Sequence, residues 1–288
     1  MHSTSQKVST IIVTCNSGRF LSDCLTSLIT ATEDMDHELI VSDNRSTDDS
    51  LEIVERVFPS AVIVRNEQNL GFGKACNVGA RKASGEFLLF LNPDMVVDKD
   101  AIEELRKAVE KVPEAGLVSG RLRFPDGSFQ PTCRNLPTIG NLVFSRGSFL
   151  TKATTRDSGN RYTLGDFAEV TAVPAVAGSM LMVRTSLFRQ LGGFDERYFM
   201  YMEDTDLSRR ATEAGYVNLF VPTAGAIHHW GKGSTTSKIR RKWRHHRSVL
   251  RYFFKYHRGV VSWVVMPVLL LGNFLLVAIL PERREGAI

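Results

Sequence analysis

The stretch Glu86-Phe-Leu-Leu-Phe-Leu-Asn-Pro-Asp94 constrains the fold more than any other part of the chain. Five consecutive apolar residues, Phe87 to Leu91, lie between Gly85 and Asn92-Pro93. A run this short and this apolar predicts a strand buried on both faces, as in a parallel sheet. Pro93 has no N–H for a central ladder, so the strand must stop there. Asp94 is thereby placed just past the carboxyl end of a buried strand, the edge at which open α/β sheets bind ligands. No Lys or Arg occurs in the ten residues before it. A carboxylate in that setting is suited to a hard divalent cation, or else to a turn after Asn-Pro.

The flanking pattern extends the sheet. Val8 to Thr14 is rich in β-branched residues and predicts the first strand. Cys15-Asn16-Ser17-Gly18 is a turn, and Leu21, Leu25, Leu28 and Ile29 mark a helix. Leu39 to Val41 is a second strand ending at Ser42-Asp43-Asn44, and Ser46-Thr47-Asp48-Asp49 starts a helix through Val57. Ala61 to Val64, a helix opening at Asn69-Leu-Gly-Phe-Gly-Lys-Ala-Cys-Asn77, the helix Ala101 to Val109 and the strand at Leu117-Val118 continue the alternation. Strand and helix alternate over about 120 residues, which predicts a doubly wound α/β domain with a parallel, Rossmann-like nucleotide-binding sheet. Asn16, Asp43-Asn44 and Asn92/Asp94 then share one edge. Asp43 suits a base N–H or a ribose hydroxyl, and equally an Asx-turn or helix cap. Gly71-Phe-Gly-Lys-Ala-Cys76 does not follow the first strand and has Cys76 at its third small position, which argues against a dinucleotide fingerprint. Its glycines fit close backbone approach to a nucleotide or a neighbouring strand.

Residues 120–170 are irregular, with a hairpin expected around Asp126-Gly127 and a mobile loop over Thr151 to Gly165. Ala177-Gly178-Ser179-Met-Leu-Met-Val183 is a further buried strand, and Gly192-Gly-Phe-Asp195 a turn. Phe199-Met-Tyr-Met-Glu-Asp-Thr-Asp-Leu-Ser-Arg-Arg210 delivers Glu203, Asp204 and Asp206 to the start of a helix that Gly215 ends. Acids are favoured there by the macrodipole, but that does not explain why an apolar run precedes them. Val217 to Val221 and Ala226-Ile227 are expected as two short strands, the second ending at His228-His229.

Charge divides the chain. Residues 1–213 hold 24 Lys/Arg against 29 Asp/Glu, whereas Ala214 to Pro281 holds ten Lys/Arg and no acid. A basic segment beside an apolar one points to an anionic membrane surface rather than to nucleic acid. Residues 236–258 have the pattern of a basic interfacial helix. Residues 259–280 carry no charge; as one helix they would rise about 33 Å, enough to cross a bilayer core, while Pro267 and Gly272-Asn273 also allow a re-entrant hairpin. The upstream basic flank predicts that the preceding domain lies on the cytoplasmic face of the membrane. Residues 281–288 are a short polar tail. The four cysteines, Cys15, Cys24, Cys76 and Cys133, are scattered, which fits a reduced compartment without a zinc site.

Thr14-Cys-Asn16, Ser42-Asp-Asn44, Asn69-Leu-Gly-Phe-Gly, Asn77, Asn92-Pro-Asp94, Gly192-Gly-Phe-Asp195 and Glu203-Asp-Thr-Asp-Leu-Ser-x-Arg210 occur in an order and spacing that resembles the family 2 glycosyltransferases of GT-A fold, rhamnosyltransferase-like branch. The resemblance covers about residues 8–235. It implies an inverting transfer from a nucleotide-diphospho-sugar with Mg2+ or Mn2+. Asp43 then looks like the base-contacting acid. Asp94 looks like the metal-binding member of a D-x-D motif whose first position is Asn92. His228 or His229 looks like the histidine that meets the metal or diphosphate. Asp204 looks like the general base, with Glu203 and Asp206 competing for the role. Thr14, Asn16, Asn44, Asn69, Gly71, Lys74 and Asn77 fall on the donor side; Gly178, Ser179, Asp195 and Arg210 on the acceptor or supporting side. The implied partners are a nucleotide-sugar, dTDP-rhamnose favoured over a UDP-sugar, and a polyprenyl-linked saccharide at the membrane. A nucleotidyltransferase would need a Gly-rich basic loop after the first strand, which Cys15-Asn-Ser-Gly18 is not. A non-catalytic nucleotide-sugar-binding membrane module is the remaining alternative.

Overall fold

The computed structural model describes residues 6–138, 164–229, 238–257 and 259–279. They belong to two compact units. The first is built from Met1–Leu136, Thr163–Phe199 and Glu203–Thr235, the second from Pro137–Tyr162, Met200–Met202 and Thr236–Ile288.

The first unit holds a mixed sheet. Its strands are β1 (Val8–Thr14), β2 (His37–Asp43), β3 (Val62–Arg65), β4 (Phe87–Leu91), β5 (Met95–Val97), β6 (Ala115–Arg123), β11 (Met180–Arg184) and β12 (Val217–His228), in the order β3-β2-β1-β4-β11-β6-β12-β5. β7 (Phe129–Gln130) pairs with β6, and β9 (Thr171–Ala172) with β12, while β8 (Cys133–Arg134) and β10 (Ala175–Val176) form a separate ribbon. The expectation of an all-parallel sheet is corrected on one half. β1 to β4 are parallel, but β11 runs antiparallel to both β4 and β6, and β5 antiparallel to β12. A buried apolar run signals two covered faces and carries no sign of direction.

Phe87 to Leu91 is buried throughout. Phe87, Leu89 and Leu91 join one core cluster with Leu21, Leu25 and Leu28 of α1 (Gly18–Ala31). Leu88 and Phe90 join the opposite cluster with Cys76 of α3 (Phe72–Ala80) and Leu207 of α6 (Glu203–Glu213). The two-residue period of a strand thus divides five apolar side chains between two cores. Each stabilises the fold by about 1.5–3 kcal/mol. α2 (Ser50–Val57) and α4 (Ala101–Lys111) cover the first face, and α5 (Thr185–Gln190) the second.

Three further local expectations meet the structure. The hairpin forms, with β7 antiparallel to β6 and Gly127 at φ 84°. The two short strands at 217–227 are instead one twelve-residue strand, β12, with register shifts at Val217/Leu219 and Val221/Gly225. Pro222 and Gly225 lie in the irregular part, where an interrupted ladder tolerates them. The loop expected at 151–165 lies almost wholly outside the described residues.

In the second unit α7 (Lys238–Tyr256) is the basic helix. A five-residue π-helical segment, Val261–Val265, then precedes α8 (Met266–Ile279). Residues 260–279 are thus helical without interruption but wind as a π-helix over Val261–Val265 before α8, and Pro267 falls next to that change of winding. Among the described residues, no helix is long and apolar enough to cross a membrane.

Candidate active site

Strand direction gathers the polar residues. β1, β2 and β4 run in parallel, so Thr14, Asp43 and Asn92 end at one edge. β11 runs the other way with Met180 opposite Leu91, which brings the preceding Gly178-Ser179 to that same edge. β12 ends there too, with His228 opposite Met95, the residue after Asp94. These ends make one polar rim on the first unit.

On the β1/β2 side the groups are mostly tied to each other. Asp43 accepts the Ser46 backbone N–H on both carboxylate oxygens, at 3.1 and 3.3 Å. Asn16, at φ 55°, accepts from the Thr47 N–H at 2.7 Å. The Asn44 amide donates to the Gly71 carbonyl at 3.0 Å and accepts from the Leu70 N–H at 3.2 Å. Asn69 accepts from the Gly71 N–H at 2.9 Å. The Thr14 hydroxyl is buried and, among the described residues, has no hydrogen-bond partner. Gly71 has φ 82°, and a Cβ there would collide with the Phe199 carbonyl oxygen. That glycine permits contact with the segment leading to Glu203, not with a neighbouring strand.

His228 and His229 separate by the alternation of β12. The His228 Nε2 lies 3.3 Å from Asp94 Oδ1 and 3.4 Å from the Asn92 amide nitrogen. Its Nδ1 lies 3.1 Å from the side-chain Oε1 of Gln130. With Nδ1–H donating to Gln130, Nε2 presents its lone pair beside the Asp94 carboxylate. Two such donors side by side are the arrangement a cation completes. His229 instead donates its backbone N–H to the Asp94 carbonyl at 3.0 Å, and its ring packs against Phe20 with centroids 5.0 Å apart. Among the described residues, no group of three His, Cys, Asp or Glu side chains is arranged to hold a metal ion. Asp94 and His228 are a partial ligand set that suits a cation.

The second acidic centre is the start of α6. The two residues before it, Tyr201 and Met202, hold left-handed backbone at φ 69° and 70°. Such conformations cost non-glycine residues about 1–3 kcal/mol each and cluster at functional sites. Asp204 Oδ2 accepts the Gly178 N–H at 3.0 Å and an Arg134 guanidinium N–H at 2.7 Å. Its Oδ1 accepts the Thr205 N–H at 2.6 Å and the Thr205 hydroxyl at 3.2 Å. The Ser179 carbonyl accepts the Asn92 N–H at 2.9 Å. Two adjacent residues, Gly178 and Ser179, thus tie Asp204 to the turn that carries Asp94.

The neighbouring acids differ. Burial, and then the Asp204 charge, push the Glu203 carboxyl up to about 8, and among the described residues its Oε2 has no hydrogen-bond partner. Burial thus favours the neutral form of the Glu203 carboxyl over the charged one. Asp206 is fully buried and bonded to Arg210 at 2.8 Å. Arg210 also donates to the carbonyls of Leu191 and Gly193, so this pair anchors the Gly192-Gly193 turn. Asn77 does the same from α3, donating to the Phe194 carbonyl at 2.8 Å and accepting its N–H at 2.9 Å. Lys74 pairs with Glu196 at 3.2 Å, and Asp195 with Arg197. Lys74, Asn77, Asp195 and Arg210 thus share a structural cluster. Sequence reasoning did not single out Arg134 or Gln130. Both lie in the irregular 120–170 segment, where no periodicity marks an inward-facing side chain.

A ten-stranded mixed sheet with carboxylates at one rim is the frame of a nucleotide-sugar transferase of GT-A type. The profile of "Glycosyl transferase family 2" matches residues 9–192. The N-acetylglucosaminyl-diphospho-decaprenol L-rhamnosyltransferase of Mycobacterium tuberculosis is 30% identical over 289 residues, which cover 93% of this chain and 92% of that protein. Rhamnosyltransferase WbbL of Escherichia coli is 32% identical over 192 residues, covering 63% of this chain and 69% of the other. Among solved structures, the mannosyltransferase PcManGT of Pyrobaculum calidifontis with GDP-Man and Mn2+ has a TM-score of 0.61 at 18% identity, covering 96% of this chain and 76% of its own; that likeness concerns the fold alone. This chain is a member of glycosyl transferase family 2.

Proposed function

We propose that the protein transfers rhamnose, with inversion, from dTDP-rhamnose to a saccharide on a polyprenyl diphosphate, in the synthesis of a cell-envelope polysaccharide. The observation that carries this reading is the link between two unlike centres on one rim: Asp94/His228 and Asp204, joined through Gly178-Ser179. One-step inversion needs a base on one side of the sugar and charge neutralisation on the other.

In this mechanism Asp43 and the β1/β2 rim take the base and ribose. Asp94 and His228 would hold a divalent cation, Mg2+ or Mn2+, and such a cation would supply positive charge to offset that growing on the leaving diphosphate. Asp204 Oδ2 takes the proton of the acceptor hydroxyl as that oxygen bonds to the anomeric carbon. The bond to the diphosphate breaks with its electron pair going to the leaving group. Glu203, being neutral, adds no second negative charge beside the base. The choice of rhamnose and of a lipid-linked acceptor is supported by the mycobacterial rhamnosyltransferase, which aligns along nearly the full length of both proteins.

Attachment to the cytoplasmic face of a membrane is supported by the second unit. α7 carries Lys and Arg along its length. Beyond it Val260, Trp263, Val264, Val268 and Leu271 are exposed, at 75, 61, 56, 66 and 54%. A basic helix followed by exposed aromatic and aliphatic residues suits an anionic interface. The test is sugar transfer by the full-length protein from a panel of dTDP- and UDP-sugars, with Mg2+ or Mn2+, to a lipid-diphosphate-linked N-acetylglucosamine, with the product anomer read by NMR. Inverted rhamnoside from dTDP-rhamnose is expected. A retained anomer, or preference for a UDP-sugar, overturns the assignment.

A further inference from the structure

A carboxylate offers about four lone-pair sites. All four of those on Asp204 are engaged: Oδ1 by the N–H and hydroxyl of Thr205, Oδ2 by the Gly178 N–H and Arg134. An acceptor hydroxyl cannot hand its proton to an oxygen with no lone pair free. One donor must therefore leave. Thr205 is wholly buried, so Oδ1 faces the interior. The Gly178 N–H is fixed by the backbone between β10 and β11. Arg134 remains. Its side chain keeps 22% of its exposure, and it sits on the two-residue ribbon strand β8, opposite Ala175 of β10.

We propose that Arg134 gates the base: it caps Asp204 Oδ2 until a phosphoryl group of the acceptor draws the guanidinium away and the acceptor hydroxyl takes its place. This rests on Asp204 being the base for a phosphate-bearing acceptor. Stripping a half-buried guanidinium of its carboxylate is costly unless another anion receives it. A planar guanidinium with five N–H donors matches phosphoryl oxygens as well as it matches a carboxylate. A neutral acceptor brings no such anion and meets a capped base. The same residue therefore sets substrate class, admitting hydroxyl acceptors that carry a phosphate or diphosphate.

The experiment compares the full-length protein with Arg134→Ala and Arg134→Lys, on lipid-diphosphate-linked N-acetylglucosamine and on the matching neutral alkyl glycoside. Binding of the nucleoside diphosphate and the thermal midpoint are followed in parallel. The wild type is expected to favour the diphosphate acceptor. Arg134→Ala should lose at least about tenfold in kcat/KM on that acceptor, the worth of a charge-assisted hydrogen bond, mostly through KM. On the neutral glycoside it should keep or raise its kcat. Arg134→Lys should fall between the two. An equal loss on both acceptors would mean that Arg134 only orients Asp204, and overturns the gate. Weakened nucleoside diphosphate binding would place the phosphate on the donor, and overturns the acceptor role. A variant too unstable to assay leaves the Lys protein to decide by the same acceptor ratio. Transfer by the wild type to neither acceptor overturns the function proposed above together with the gate.

Discussion

Glu203→Gln isolates the environment at the start of α6. The Glu203 carboxyl is pushed from 4.5 to about 8 by burial and by the adjacent Asp204 charge. Between those values the folded chain keeps a proton that the unfolded chain releases. A raised folded-state value means that the contribution to stability is complete below pH 4.5 and is lost as pH rises toward 8. From pH 4.5 to 7 the interval is about 2.5 units at about 1.4 kcal/mol each, or about 3–4 kcal/mol. Gln has nearly the same shape and does not titrate. Chemical denaturation of both proteins at steps from pH 4.5 to 8 gives the difference directly. Near pH 4.5 the two should be similar in stability. Toward pH 8 Glu203→Gln should become the more stable by about 3 kcal/mol or more. Parallel curves, or a wild type that gains on the variant as pH rises, would mean that Glu203 ionises in place, and the neutral-acid assignment would be refuted.

Three other outcomes are expected. Asp94→Ala and His228→Ala should each weaken metal-dependent nucleotide-sugar binding and turnover together, while His229→Ala, whose ring packs on Phe20, should change neither by much; calorimetry with and without the cation reads this. Asn77→Ala leaves the Phe194 N–H and carbonyl unpaired in a buried site, which should cost about 2–4 kcal/mol of stability while donor affinity of the folded protein stays near wild type. Removing residues 259–288 should leave a salt-sensitive liposome association, carried by α7 at about 1 kcal/mol per basic residue near the surface, and removing residues 236–288 should abolish it; flotation at low and high salt distinguishes these, and wild type that floats free of liposomes would end the membrane assignment.

Much of the fold follows from local pattern. Phe87 to Leu91, closed by Pro93, specified a strand between two cores, and the structure divides those side chains between the two clusters. Direction was not legible, because β11 reads the same whether it runs with β4 or against it. The C-terminal apolar run specified hydropathy but not winding, and the helix is π-wound over Val261–Val265 before α8. At the rim, Asp94 and Asp204 were legible from position alone, one after a buried strand and the other at a helix start. Which histidine faces Asp94 needed the register of β12 against β5. Arg134 and Gln130 were not legible. Their roles arise from contacts across 70 and 98 residues of chain, and such separations leave no local signature. The structural ties of Asn77 and Arg210 to the Gly193-Phe194 turn belong to the same class.

The assignment of Asp204 as base is tested most directly by Asp204→Asn, which keeps the side chain's shape and removes its ability to hold the transferred proton. Equilibrium binding of dTDP-rhamnose with the cation should stay within a few-fold of wild type. Single-turnover transfer to the lipid-diphosphate-linked acceptor should fall by about 10² or more. Retained transfer in that variant, or a loss of donor binding that accounts for the whole fall, would contradict the account.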